Sequence, residues 1–178
     1  MASLPFVFGT TLATIPAAAG YLRADPVRTA AWAARLPAGR KIGAVFSGNP
    51  NHPADRRRSV PLEQIRLPDI PGVEFVDLHP GGRLRLPNLT SAMTDYAETA
   101  ALIANLDLVI SVDTSVAHLA GALSRPVWIM LPHAPDWRWG LARSDSPWYA
   151  SARLFRQTTA GDWTGVLDRV FSQLLSGP

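Results

Sequence analysis

DLVISVDTSVAHLAGAL, residues 107–123, is an apolar run that stops at a carboxylate, passes through a Thr-Ser pair and turns into a small-residue helical pattern. Leu108, Val109, Ile110 and Val112 are apolar and mostly β-branched, the composition of a strand covered on both faces. Asp113 and Thr114 are residue types that cap helices, and Thr114 and His118 stand one turn apart on a single helical face. A buried parallel strand handing over to a helix is predicted, with unpaired N–H groups and the positive helix end where a phosphate could sit. Asp-Thr-Ser is also ordinary capping chemistry and a single histidine is usually structural, so the residues alone leave a plain cap and a ligand site both open. Position favours the ligand, because ligands of open α/β sheets bind beyond the carboxyl ends of the strands. Gly121 would weaken a helix interior by about 1 kcal/mol relative to alanine, which points to close packing of helix on sheet.

Outward from this stretch, strands and helices alternate. Residues 1–24 have loop chemistry, read as an extended connecting segment. Asp25-Pro26 opens a helix running to about Leu36, since Asp25 can cap and Pro26 suits the first helical position. Residues 41–47 (KIGAVFS) and 73–78 (VEFVDL) read as strands, with a charged loop and a short helix opened by Pro61 between them. Asp95 caps a helix with Ala97, Ala100, Ala101, Ile103 and Ala104 for packing. After 108–112 and the helix at 114–123 come a strand at 127–131, a tryptophan-rich loop, a short strand at 152–156 and an amphipathic helix at 163–175. Such alternation predicts βαβ units around a mostly parallel sheet, a three-layer Rossmann-like α/β fold. The expected organisation is residues 1–40 as a segment and helix left from a linker or preceding domain, 41–160 as the ligand-binding domain, and 161–178 as a C-terminal helix.

Composition narrows the function classes. The 178 residues, 47% hydrophobic and 17% charged, describe one globular domain with a sizeable core. There is no cysteine, which excludes disulfide scaffolds and thiolate metal sites. The pI near 9.9 suggests nucleic acid, but the net charge is only +3 and the basic residues are scattered arginines, with Lys41 the one exception. No nucleic-acid partner is expected, and no apolar run approaches the roughly 18 residues of a membrane span. The run Ala17-Ala18-Ala19 has the look of a signal-peptide end. The preceding stretch lacks a basic region and is broken by Pro5, Thr10, Thr11, Thr14 and Pro16, so a cytoplasmic location is expected. No GxGxxG follows the first strand, which argues against a dinucleotide-dependent dehydrogenase.

Three segments together, SGNPNHPADRRRS (47–59), DLVISVDTSVAHLAGAL (107–123) and PVWIMLPHAPDWRWGLARSDSPWYASARLFRQ (126–157), resemble the C-terminal half of GT-B glycosyltransferases. The similarity is to the heptosyltransferase-like or O-GlcNAc-transferase-like domain that follows tetratricopeptide repeats in bacterial proteins. It implies inverting, metal-independent glycosyl transfer from a nucleotide-diphosphate sugar, which is a substrate, so no cofactor is called for. The acceptor and the base are expected from an N-terminal domain, present as a separate or missing partner, and the catalytic residues stay unassigned. Asp113, Thr114, Ser115 and His118 match the motif that holds the donor diphosphate. Ser47, Gly48 and Asn49 match the loop after the first strand, where Gly48 would let backbone approach phosphate or sugar. Arg56 and Arg58 match a D-R-x-R-S pattern whose planar guanidinium groups suit a diphosphate. Trp137, Arg138 and Trp139 match a D-W-R-W segment that could line the pocket.

The chain also departs from that pattern. Residues 1–24 resemble only the tail of the N-terminal domain, and the repeats are absent. Phe46 stands where the family usually has tryptophan. Residues 79–83 look shortened, without the family's Gln-Lys pair, so a phosphate contact and a strand or crossover are expected to be lost; Arg83 and Arg85 are the candidate replacements. A non-catalytic nucleotide-sugar-binding module, or an inactive remnant, is therefore the alternative to a transferase.

Overall fold

Each of the five apolar runs becomes a strand, and all five join one sheet. The computed structural model describes residues 4–16, 20–84, 86 and 89–176. The strands are β1 (Arg40–Val45), β2 (Val73–Asp77), β3 (Leu108–Val112), β4 (Val127–Leu131) and β5 (Ala152–Arg156). The helices are α1 (Leu4–Val7), α2 (Pro26–Ala33), α3 (Asp55–Arg58), α4 (Tyr96–Ile103), α5 (Ser115–Ala122) and α6 (Trp163–Leu175). The strand order is β2-β1-β3-β4-β5 with every neighbour parallel, a Rossmann-like α/β sheet. The chain runs outward from β1 to β2, then crosses back to β3 on the other side of β1. Connections at such a reversal diverge to opposite faces and leave a crevice beyond the strand ends, where ligands of doubly wound sheets bind. Here that crevice lies between the ends of β1 and β3.

Residues alternate across the sheet as strand geometry requires. Ile42, Ala44 and Phe46 bury on one face with Leu108, Ile110, Val112 and the α6 residues Val166 and Val170. Val45, Val76 and Val109 bury on the other with Trp32 of α2, Leu102 of α4 and Ala117 and Ala120 of α5. The α2 start is as predicted: Asp25 accepts the Arg28 N–H at 2.8 Å and Pro26 opens the helix. Trp32 is fully buried and its indole N–H donates to Glu98 at 2.8 Å, which ties α2 to α4. The packing therefore does not divide at residue 40, and α2 is part of the layer that covers the sheet.

Other differences are local. Strand β1 ends at Val45, because the Phe46 carbonyl turns to accept the Val60 N–H at 2.8 Å. Strand β2 ends at Asp77, a buried carboxylate that accepts the N–H groups of His79, Arg83 and Leu84 and folds the next loop back on itself. That loop is the shortened region, yet the crossover to β3 through α4 is intact. Within the N-terminal segment, expected to be extended, Leu4–Val7 and Leu12–Thr14 form short helical turns. Arg85 and the Ala17-Ala18-Ala19 run lie outside the described residues. Among the described residues no helix is long and apolar enough to cross a membrane.

Candidate functional site

Helix α5 begins at the β1/β3 crevice, and its first turn differs from those of the other helices of eight or more residues. α2, α4 and α6 each start at an aspartate, Asp25, Asp95 and Asp162, whose carboxylate accepts an N–H of the first turn. Thr114 is the N-cap residue of α5, but no side chain caps this helix. The Thr114 hydroxyl pairs instead with Ser111 Oγ at 2.9 Å, so the capping role expected of Thr114 is not filled. Among the described residues no side chain accepts the first-turn N–H groups of this helix, which leaves them open at the positive helix end.

Arg58 stands over this helix end. Its Nη1 donates to the Asp113 carbonyl at 2.9 Å and its Nε faces Asp55 Oδ1 at 3.4 Å. Ser59 Oγ donates to the same Asp55 oxygen at 3.0 Å and accepts the Gly48 N–H at 2.9 Å. A hydrogen-bonded string thus joins the loop after β1 to the end of β3 across the crevice. Gly48 matters for a reason other than the one expected. A Cβ there would sit 2.5 Å from Arg58 Nη2 and 2.6 Å from Asp55 Oδ1, so the space is taken by the protein's own ion pair.

Clefts open on both sides of Arg58, Thr114 and Ser115. One, about 860 Å³, is bounded by Val45, Leu78, Met93, Tyr96 and Val116 together with Ser47, Gly48 and Asn49. Its apolar walls are interrupted by polar groups, Asp95 and His79 among them. The other, about 820 Å³, holds Arg57, Asp113, His118, Trp137, Arg138 and Tyr149. Both volumes suit a small-molecule ligand.

Asp113 and His118 face one another, with His118 Nε2 at 3.6 Å from Asp113 Oδ1. Burial works to raise the Asp113 carboxyl, but the His118 imidazole, the Trp139 indole and the Arg58 charge outweigh it and hold the group below its ordinary value. His118 Nδ1 lies 3.0 Å from the Tyr149 hydroxyl, and its ring stacks on Trp139 at 5.3 Å between centroids.

Most of the expected site residues converge: Asp113, Thr114, Ser115, His118, Ser47, Gly48, Asn49 and Arg58 all border the two clefts. Arg56 does not. It is exposed on α3 and borders neither cleft, whereas Arg57 does, because three consecutive residues of a helical turn point about 100° apart. Trp137 and Arg138 line the second cleft, with Arg138 paired to Asp136 at 2.7 Å. Trp139 is fully buried beneath His118 and supports the site without lining it. Arg83, the proposed lysine replacement, borders neither of the two clefts; it lines neighbouring hollows with Leu62 and Leu84, one of which also reaches Ser47 and His79. Sequence reading missed Tyr149 and Tyr96. The one available sign of Tyr149 was Gly121, whose missing Cβ makes room for the Tyr149 ring and not for the sheet.

A parallel Rossmann-like domain with an uncapped helix end at its switch point is the class that fold and geometry define. Residues 86–159, from before α4 to just beyond β5, match the sequence model of glycosyltransferase family 9 (heptosyltransferase). The chain is 30% identical over 183 aligned residues to Protein FlbA of Caulobacter vibrioides, an alignment covering 92% of this chain and 30% of FlbA. It thus spans under a third of the length of that curated relative. No solved structure matches.

Proposed function

We propose that this chain is the donor-binding, C-terminal half of a GT-B glycosyltransferase and that a nucleotide-diphosphate sugar bridges its two clefts. The observation that carries the reading is the uncapped start of α5 under Arg58, at the sheet's switch point and inside the segment that matches family 9. The diphosphate sits on the first-turn N–H groups, where backbone dipoles and a guanidinium offset its charge. The nucleoside lies in the first cleft beside Tyr96 and Met93, and the sugar in the second beside Trp137, Arg138 and Asp113. In an inverting transfer a base removes the acceptor hydroxyl's proton, and that oxygen attacks the anomeric carbon as its bond to the diphosphate breaks. The helix end and Arg58 take up the negative charge of the leaving group, commonly the largest electrostatic contribution in such a step. Asp113, His118 and Asp136 are each held by a protein partner, so the reading assigns the base to another domain or chain.

The same pairing favours a second reading, nucleotide-sugar binding without transfer. Calorimetric titration with ADP, GDP, UDP, CDP and dTDP tests what the two share. Saturable heat with at least one is expected, and none with any would refute both. Release of nucleoside diphosphate from the matching nucleotide sugar, upon addition of acceptor and the complementary domain, separates transfer from binding.

A further inference from the structure

We infer that Tyr149 is a positioning residue that fixes His118 as the Nε2–H tautomer and so presents an N–H donor to the donor-sugar cleft. The inference rests on the proposed function for its ligand, but its geometry is independent of any ligand.

The argument starts from what each partner of His118 can do. Nε2 faces Asp113 Oδ1 at 3.6 Å, and an ionised carboxylate only accepts, so Nε2 carries the proton. In the neutral ring Nδ1 is then a lone-pair acceptor, and the group within reach is the Tyr149 hydroxyl at 3.0 Å, which must donate to it. A neutral imidazole's tautomer is set by the bond its other nitrogen makes. At 3.6 Å the contact with Asp113 is longer than an ordinary hydrogen bond, so the Nε2–H is attracted by the carboxylate without being consumed by it. His118 and Asp113 border the same cleft, so a ligand oxygen there can accept a hydrogen bond from that N–H.

The fold holds Tyr149 in place from several sides. Its ring lies against α5 at the one position, Gly121, where any Cβ would collide with it. It meets the His118 ring edge-on at 5.8 Å, while Trp139 stacks on that ring. Burial is the main influence that pushes the Tyr149 phenol up, so its hydroxyl keeps its proton across the working pH range.

The test is Tyr149→Phe, which keeps the ring over Gly121 and removes only the hydroxyl. Imidazole nitrogen shifts of 15N-histidine-labelled, ligand-free protein report the tautomer, and His118→Asn assigns the His118 resonances by their loss. The wild type is expected to show Nε2–H at His118, and Tyr149→Phe to move it toward a mixture with Nδ1–H. Affinity for the nucleotide sugar should then fall roughly threefold to tenfold, corresponding to about 0.7–1.4 kcal/mol. A wild-type Nδ1–H form, a tautomer unmoved by Tyr149→Phe, or a moved tautomer with unchanged affinity would each overturn the inference. If the tautomer moves as expected while no nucleotide sugar binds even the wild type, the positioning of His118 stands and the donor-binding reading falls.

Discussion

Asp113 shows most directly how single groups are tuned at this site. Its carboxyl is held below the ordinary value because His118, Trp139 and Arg58 together outweigh the cost of burial. A group whose pKa is depressed on folding stabilises the folded state above its unfolded value and loses that contribution as pH falls through the folded one. Stability should therefore decline as pH drops below about 4, the unfolded aspartate value. Asp113→Asn should flatten that part of the profile, as read by urea unfolding between pH 5 and pH 2.5. An unchanged slope in the variant would contradict the assignment. At this scale the sequence was informative where a residue's job is local. Asp113, His118 and Arg58 were legible as a constellation, since strand ends and helix starts place them. Arg56 was not separable from Arg57, because the phase of a four-residue turn leaves no periodic trace. Tyr149 left only the indirect sign of Gly121, because its partner lies 31 residues away in sequence.

Among the elements, α5 carries the functional argument. A helix start without a side-chain cap forgoes about 0.5–2 kcal/mol, so the missing cap leaves room for a ligand to act as one. Thr114→Asn should place an amide oxygen on the first-turn N–H groups. The variant is expected to be as stable as the parent or more so by about 0.5 kcal/mol, by thermal unfolding. Nucleoside diphosphate affinity should fall about tenfold, and undiminished affinity would mean the N–H groups are not the phosphate site. The stretch 107–123 was readable as strand and helix because burial on both faces, small residues and capping types all agree there. Which way the Thr114 hydroxyl turns was not readable, since Ser111 and the helix N–H groups are equally close partners in sequence. Strand ends were overrun by one or two residues for a related reason: Phe46 and Asp77 have strand-like neighbours, but their backbone or side chain is committed to a loop.

The whole molecule is a five-stranded parallel sheet covered on both faces, with one crevice where its strand order reverses. Parallel pairing follows from alternating strands and helices, but the strand order, and so which strand is central, cannot be read from alternation alone. Nor could it be read that α2 belongs to the covering layer, because Trp32 meets Glu98, 66 residues later. Trp32→Ala should cost ~3–5 kcal/mol in urea unfolding, the range for a buried aromatic. A loss under about 1 kcal/mol would instead mark residues 26–33 as a loosely attached linker. The account as a whole turns on whether the amino end of α5 receives a phosphate. Backbone 1H–15N spectra recorded while a nucleoside diphosphate is added test this most directly. The account predicts saturable movement concentrated on the amides of Ser115, Val116 and Ala117 and on the Arg58 side chain. Saturable movement confined to other surfaces, or none at millimolar ligand, would contradict it.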